Sequence, residues 1–400
     1  MIRKMLRTSA IISLSGLAVS ILNYISLYYI SLYETKESLN LFFKVISVPF
    51  SISGLISNAI ALFLPTLLVG LNLRTYESER FINFLKQIII LNVAISIVLL
   101  LMFIYFDIYT LAYSAISFLQ GAALIYFSIE VAKNNSSGRF SYAYLASIAA
   151  SLFSTILLFF FYKRFGLIAL PASQTLCLFI AGKLISQRIV IKKESLHKSS
   201  SIHMNFFLAI ISLSGNSLWP AFDAFWISLY NQNSLGVISI AQKLQISIAG
   251  LIITGIYTVL GTHFQGKTIE DNLETIKKMI FFVLLSSFIL IFFMLCMYLF
   301  FSNFIRSFLP DSLDGIIPVF FILQVGMAFM IISTLLLRFY CSTFRYFTAA
   351  KIGIFFCFLY FIFSGFLSKD YGANGIAFSY TLSWFLTSLL FAWPLFIRKI

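Results

Sequence analysis

A chain of 400 residues that is 60% hydrophobic and only 10% charged cannot form a soluble globule, in which about a quarter of side chains carry charge. Its apolar residues supply roughly a dozen membrane crossings of about 20 residues each, which leaves little chain for a separate catalytic domain. The ten-residue alternating segments of a β-barrel are not found, and a net charge of +14 has to be explained by where the basic residues fall.

In chain order, apolar blocks between charged breaks predict helices over 9–32, 41–70, 83–106, 108–132, 140–162 and 167–187. A second set runs over 205–230, 236–262, 279–301, 316–337, 347–368 and 375–396. Arg3, Lys4 and Arg7 ahead of the first block resemble the start of a signal peptide, but the apolar run is too long and lacks a convincing cleavage site. It reads as the first span. The expected fold class is an all-α polytopic membrane protein of about 12 transmembrane helices, as two six-helix bundles around a central cavity. The expected division is an N-terminal bundle over 1–187, a basic linker over 188–204 and a C-terminal bundle over 205–400.

Internal repetition supports that division. AIISLSG runs from Ala10 to Gly16 and again from Ala209 to Gly215. ISLY recurs at Ile30–Tyr33 and Ile227–Tyr230, and SISGLI at Ser51–Ile56 is echoed by SIAGLI at Ser247–Ile252. Three matches in order at nearly constant offset point to a parallel 6+6 duplication, with the repeat axis along the membrane normal.

Most of the 28 basic residues fall on one side of the predicted spans, among them Arg3, Lys4, Arg74, Arg80, Lys192, Lys193, Lys198, Lys277, Lys278, Arg398 and Lys399. This is the positive-inside pattern. It places both termini in the cytoplasm and assigns the basic excess to topology and to anionic membrane lipids, with no nucleic acid as partner. The four cysteines share no short spacing and the three histidines sit in or beside loops, so neither a disulfide framework nor a metal centre is indicated. GTHFQGKT at Gly261–Thr268 satisfies the P-loop pattern, but a membrane span precedes it and no α/β domain surrounds it, so no nucleotide and no other cofactor is expected.

Charged and amide side chains inside spans are costly and therefore mark candidate functional positions. Asp223 comes after Trp219 and Pro220 in the seventh predicted span, and Lys243 lies at similar depth in the eighth, within reach of an ion pair across the hairpin. Lys44 in the second span and Asn23 in the first lie near the repeat equivalents of Lys243 and Asp223, while Gln242 and Gln245 flank Lys243. The plain alternative for Asp223 with Lys243 is a structural pair that locks two helices, and for Lys44 it is snorkelling to the headgroups.

LNLFFKVISVPFSISGLISNAIALFLPTLL, Leu39–Leu68, resembles the second-span signature of lipid II flippases, with Phe42, Phe43, Pro49 and Pro65 matching and Asn40 replacing the acidic residue. FDAFWISLYNQNSLGVISIAQKLQ, Phe222–Gln245, is similar to a hairpin that those flippases share with O-antigen and other polysaccharide exporters, with Asp223, Gly236, Ala241 and Leu244 in matching places. YGANGIAFSYTLS, Tyr371–Ser383, resembles a late-span pattern of the same multidrug/oligosaccharidyl-lipid/polysaccharide superfamily. Twelve expected spans, and no arginine in the first span after Arg7, favour the polysaccharide-exporter branch. The resemblance implies a flippase, not an enzyme, that moves an undecaprenyl-diphosphate-linked oligosaccharide across the bacterial cytoplasmic membrane, with H⁺ or Na⁺ as coupling ion. It leaves open a lipid II flippase and a cation-coupled multidrug antiporter. In the first reading Lys44, Lys243, Asn23, Gln242 and Gln245 contact substrate and Asp223 serves the ion. A membrane-embedded polymerase would need a large outer loop, and the longest candidate, 303–315, is too short.

Overall fold

The computed structural model describes residues 2–70, 75–137, 139–186, 202–230, 233–264, 269–307, 309–343 and 345–397. These form thirteen α-helices and no strand. They run α1 Ile2–Tyr33, α2 Lys36–Gly70, α3 Thr75–Phe106, α4 Tyr109–Ser136, α5 Phe140–Phe165 and α6 Ala169–Ile185. The chain continues with α7 Ile202–Ser212, α8 Ser214–Ser217, α9 Trp219–Leu229, α10 Leu235–Phe264, α11 Ile269–Ser307, α12 Ile316–Ser342 and α13 Tyr346–Ile397. The linker expected over 188–204 lies largely outside the described residues, and the P-loop-like motif runs off the last turn of α10 into positions that are also outside them.

Two departures from the expected spans have local causes. The span over 205–230 is three helices, broken at Leu213 and Leu218. Pro220, in the first turn of α9, has no N–H to give and its ring excludes the carbonyl a turn earlier, so the helix restarts there. The last two spans form the 52-residue α13, which as a straight rod would be on the order of 80 Å long, well beyond a hydrocarbon core of about 30 Å. Gly372 breaks it with φ 55° and ψ −131°, a conformation open to glycine and strained for other residues, and the chain doubles back. Counting α7–α9 as one crossing and α13 as two gives twelve crossings, so the chain is a multi-pass helical membrane protein.

The C-terminal ends of α1, α3, α5, α9 and α11, together with Gly372, lie toward one end of the molecule, the hairpin end, and the start of α1 and the end of α13 lie toward the other, the terminus end. The ISLY repeats close α1 and α9 at the hairpin end, and the SISGLI and SIAGLI repeats fall in α2 and α10.

Small residues set the helix spacing, as they must where lipid removes any hydrophobic drive between helices. A Cβ on Gly353 of α13 would lie 2.2 Å from the Ile211 carbonyl oxygen and 2.6 Å from that of Ser212, so α7 and α13 meet backbone to backbone. Gly353→Val should therefore lower thermal stability by at least about 1–3 kcal/mol. Gly54→Ala, where the new methyl meets no heavy atom within 4 Å, should leave the melting curve in place. Melting of both variants in detergent would check this, and equal behaviour would refute the packing argument.

Candidate functional site

α9 carries Asp223 into the interior of the C-terminal helices α7–α13, which meet the N-terminal helices α1–α6 along a seam, and there it is 1% exposed. Its carboxylate Oδ2 accepts from Gln242 Nε2 of α10 at 3.0 Å, and Oδ1 accepts from the Tyr360 hydroxyl of α13. Phe222, Phe356, Tyr380 and Trp384 wall this site with rings that pack on Tyr360 or on one another. No basic side chain lies within ion-pair distance of Asp223 among the described residues. A carboxylate held away from water by two neutral donors carries a desolvation cost that a bound proton or cation removes.

Gln245, one turn further along α10, donates to the Leu323 carbonyl of α12 at 2.8 Å. Its own Oε1, the Oε1 of Gln242 and both amide atoms of Gln324 are buried without partners among the described residues. Buried amides left so are costly unless water or a ligand meets them. Gln242 and Gln245 thus face the polar interior around Asp223.

Lys243 points the other way, toward α2. Its Nζ lies 4.9 Å from the Phe43 ring centroid and 5.7 Å from that of Phe50, two rings a helical heptad apart on one face. The expected Asp223–Lys243 pair does not form: consecutive residues on a helix are turned about 100° apart, so Gln242 takes the carboxylate while Lys243 is directed into the seam between the two groups of helices.

Side chains cross that seam at several levels. At the hairpin end Asn40 Oδ1 accepts from the Gly236 N–H at 2.8 Å, and Ser312 Oγ donates to the Ser31 carbonyl at 2.7 Å. Deeper, Asn58 Nδ2 donates to Ser217 Oγ of α8 at 3.2 Å. Toward the terminus end Phe63 meets Phe206 and Tyr346 at 5.6 and 5.8 Å. Phe50, Gly54 and Asn58 share one face of α2, and Gly54 opens onto free space between the Lys243 and Asn58 levels. Asn40→Ala removes one of the hairpin-end bonds, which at about 1 kcal/mol amounts to a roughly fivefold shift toward opening. Spin labels at the exposed positions Leu32 and Leu229, on a background free of native cysteine, should show a larger population at long distance; an unchanged distribution would discount the bond.

Lys44 is exposed, on a stripe with the exposed Leu41, Val48 and Ile52, and joins neither Asp223 nor Lys243. Asn23 is half-buried on α1, one turn before Leu27, and makes no contact with Asp223. Sequence reasoning missed Tyr360, which lies 137 residues from Asp223 with no local signal, and the Phe43 and Phe50 rings around Lys243. Glu130 of α4 is buried and paired with Lys133 at 2.7 Å.

No family model matches the chain, and no curated protein matches it in sequence. Solved structures do match. A lipid II flippase MurJ in an inward closed conformation superposes with TM-score 0.70 at 16% identity, over 96% of this chain and 87% of that one. A multidrug resistance MATE family transporter of the MOP superfamily, inward-facing, gives 0.68 at 13% identity over 95% and 97%. An outward-facing one gives 0.66 at 15% over 97% and 94%. The chain has the helical membrane-transporter fold shared by the MurJ flippase and MATE members of the multidrug/oligosaccharidyl-lipid/polysaccharide superfamily.

Proposed function

We propose that this protein is a flippase that carries an undecaprenyl-diphosphate-linked oligosaccharide across the bacterial cytoplasmic membrane by alternating access, for cell-surface polysaccharide synthesis, with both termini in the cytoplasm. The observation that carries the reading is Lys243: a cation presented into the seam between the two helix groups, clasped by aromatic faces and not by a carboxylate. A diphosphate headgroup is too polar to cross hydrocarbon unaided and needs a wet path with a cation along it, while the prenyl tail stays in lipid. Cation–π contact is worth about 0.5–2 kcal/mol, and a charge-assisted bond to phosphate exceeds it, so an entering diphosphate displaces the rings.

Asp223 is assigned to the coupling ion. It sits apart from the seam, inside the C-terminal group, and its occupancy by H⁺ or Na⁺ is read by Gln242 and Tyr360 on two other helices. Neutralising or vacating the carboxylate changes what holds α9, α10 and α13 together, which is how an ion gradient would bias one packing over another.

A second reading, a cation-coupled multidrug antiporter, is favoured by the same buried Asp223 and by the fold shared with MATE transporters. Deleting the gene separates the two. A flippase leaves lipid-linked glycan intermediates on the cytoplasmic leaflet and depletes surface glycan, and complementation restores both. Dye accumulation with normal surface glycan would establish the antiporter instead, and accumulation of lipid II would assign the substrate to peptidoglycan.

A further inference from the structure

A site unrelated to the seam lies on the outside of the N-terminal group. At the hairpin end α5 and α6 splay around the turn at Gly166–Ile168 and leave a cavity of about 310 Å³, lined by Leu157, Phe161 and Phe165 of α5 and by Ala169, Ala172 and Leu176 of α6. The lining is almost wholly apolar, and Phe161, Phe165 and Leu176 are exposed, so the cavity opens sideways. In a bilayer that opening faces acyl chains, and an empty concavity there would forfeit dispersion contacts on one side.

The mouth is not apolar. Leu157, Phe161 and Arg164 succeed one another at i, i+4 and i+7, so the arginine stands one turn above Phe161 on the cavity's own face of α5. Its guanidinium carbon lies 5.5 Å from the ring centroid of Phe165, itself part of the lining, which holds the charge at the rim. Lys163, also exposed, lies about 200° around α5 from Phe161 and from Phe165, so it stands on the face opposite the cavity. Among the described residues Arg164 forms no ion pair, and the Glu34 carboxylate of the α1–α2 turn is engaged by the Tyr162 hydroxyl at 2.7 Å, on a residue about 200° around α5 from Arg164. From Leu157 to Arg164 the groove runs about 10 Å, the depth of the upper part of an acyl chain beneath its headgroup.

We infer that this groove is a binding site for an anionic glycerophospholipid of the leaflet at the hairpin end, with one acyl chain between α5 and α6 and the phosphodiester on Arg164. The two parts make separable demands: the cavity selects a chain, and the rim selects a negative headgroup.

Native mass spectrometry of the full chain, delipidated and then titrated with phosphatidylglycerol or phosphatidylcholine of matched chains, tests both. Phosphatidylglycerol should be retained in preference, by about fivefold for the one rim cation. Arg164→Gln should bring it down to the phosphatidylcholine level without affecting the latter, whereas Lys163→Gln should leave the preference in place. Ala172→Phe should displace both lipids by filling the groove, and Leu176→Trp, at an already exposed position, provides the same test should the first variant fold poorly. Equal retention of the two lipids by the unaltered protein, or retention untouched by the filling variants, would overturn the assignment. So would competition by glycerol phosphate as effective as by intact lipid, which would reduce the site to a free-anion contact.

Discussion

Asp223→Asn is expected to yield a protein that inserts and melts normally yet has lost its response to an imposed cation gradient. The substitution keeps the shape of the side chain and one oxygen for the Tyr360 hydroxyl. The new amide N–H faces Gln242, whose unpaired Oε1 can rotate to accept it, so the buried hydrogen bonds are conserved. What disappears is the charge, and with it any reason for a proton or Na⁺ to bind. Asp223→Ala behaves differently: it leaves the Tyr360 and Gln242 donors buried and unmatched, at about 1–3 kcal/mol each, and should lower stability as well as transport. Reconstituted transport with and without a gradient, beside melting curves of both variants, distinguishes the two effects. Gradient-driven transport by Asp223→Asn at the original rate would remove Asp223 from coupling.

Lys243→Ala should reduce export of lipid-linked glycan about tenfold to a hundredfold, the worth of one hydrogen bond to a charged group, while membrane levels of the protein stay near normal. Stability changes little because the lysine pairs with no carboxylate; its loss strands no opposite charge and leaves Phe43 and Phe50 free to close on each other. Lys243→Arg should retain much of the activity, since guanidinium serves both for phosphate and for aromatic faces. Lys243→Met, which keeps the bulk without the charge, should resemble alanine. Surface glycan in a complemented deletion strain is the measurement, normalised to protein in the membrane. Undiminished export by the alanine and methionine variants would take this residue, and the observation on which the proposed function rests, out of the mechanism. Lys44→Ala is expected to do less, because Lys44 lies on an exposed stripe away from Lys243.

Much of the architecture is legible in the sequence. Spans of about 20 apolar residues are dictated by the bilayer's thickness, and breaks in charge mark their ends wherever the lipid does. Where the expected spans fail, short-range backbone chemistry has intervened. AIISLSG lies within the continuous helix α1 in its first copy and at the broken junction of α7 and α8 in its second. The heptapeptide is the same, so its own sequence does not decide the outcome: the second copy is followed by NSLWP, whose proline interrupts the helix before α9, and its Ile211 and Ser212 carbonyls pack against Gly353 of α13. Candidate residues are legible as costs. An Asp and a Lys inside apolar spans announce themselves, and so do the glutamines beside the lysine.

From composition and pattern alone came a helical membrane protein of about a dozen crossings, its repeats, and Asp223, Lys243, Gln242 and Gln245 as residues out of place in hydrocarbon. Tertiary structure alone decided their partners. Depth in the membrane comes from counting residues, but direction around a helix axis, and which of a dozen neighbours fills that direction, depends on packing among segments far apart in the chain. Two residues at equal depth therefore read as a pair, whereas Asp223 turns inward to Tyr360 from the far end of the chain and Lys243 turns outward to two phenylalanines of α2.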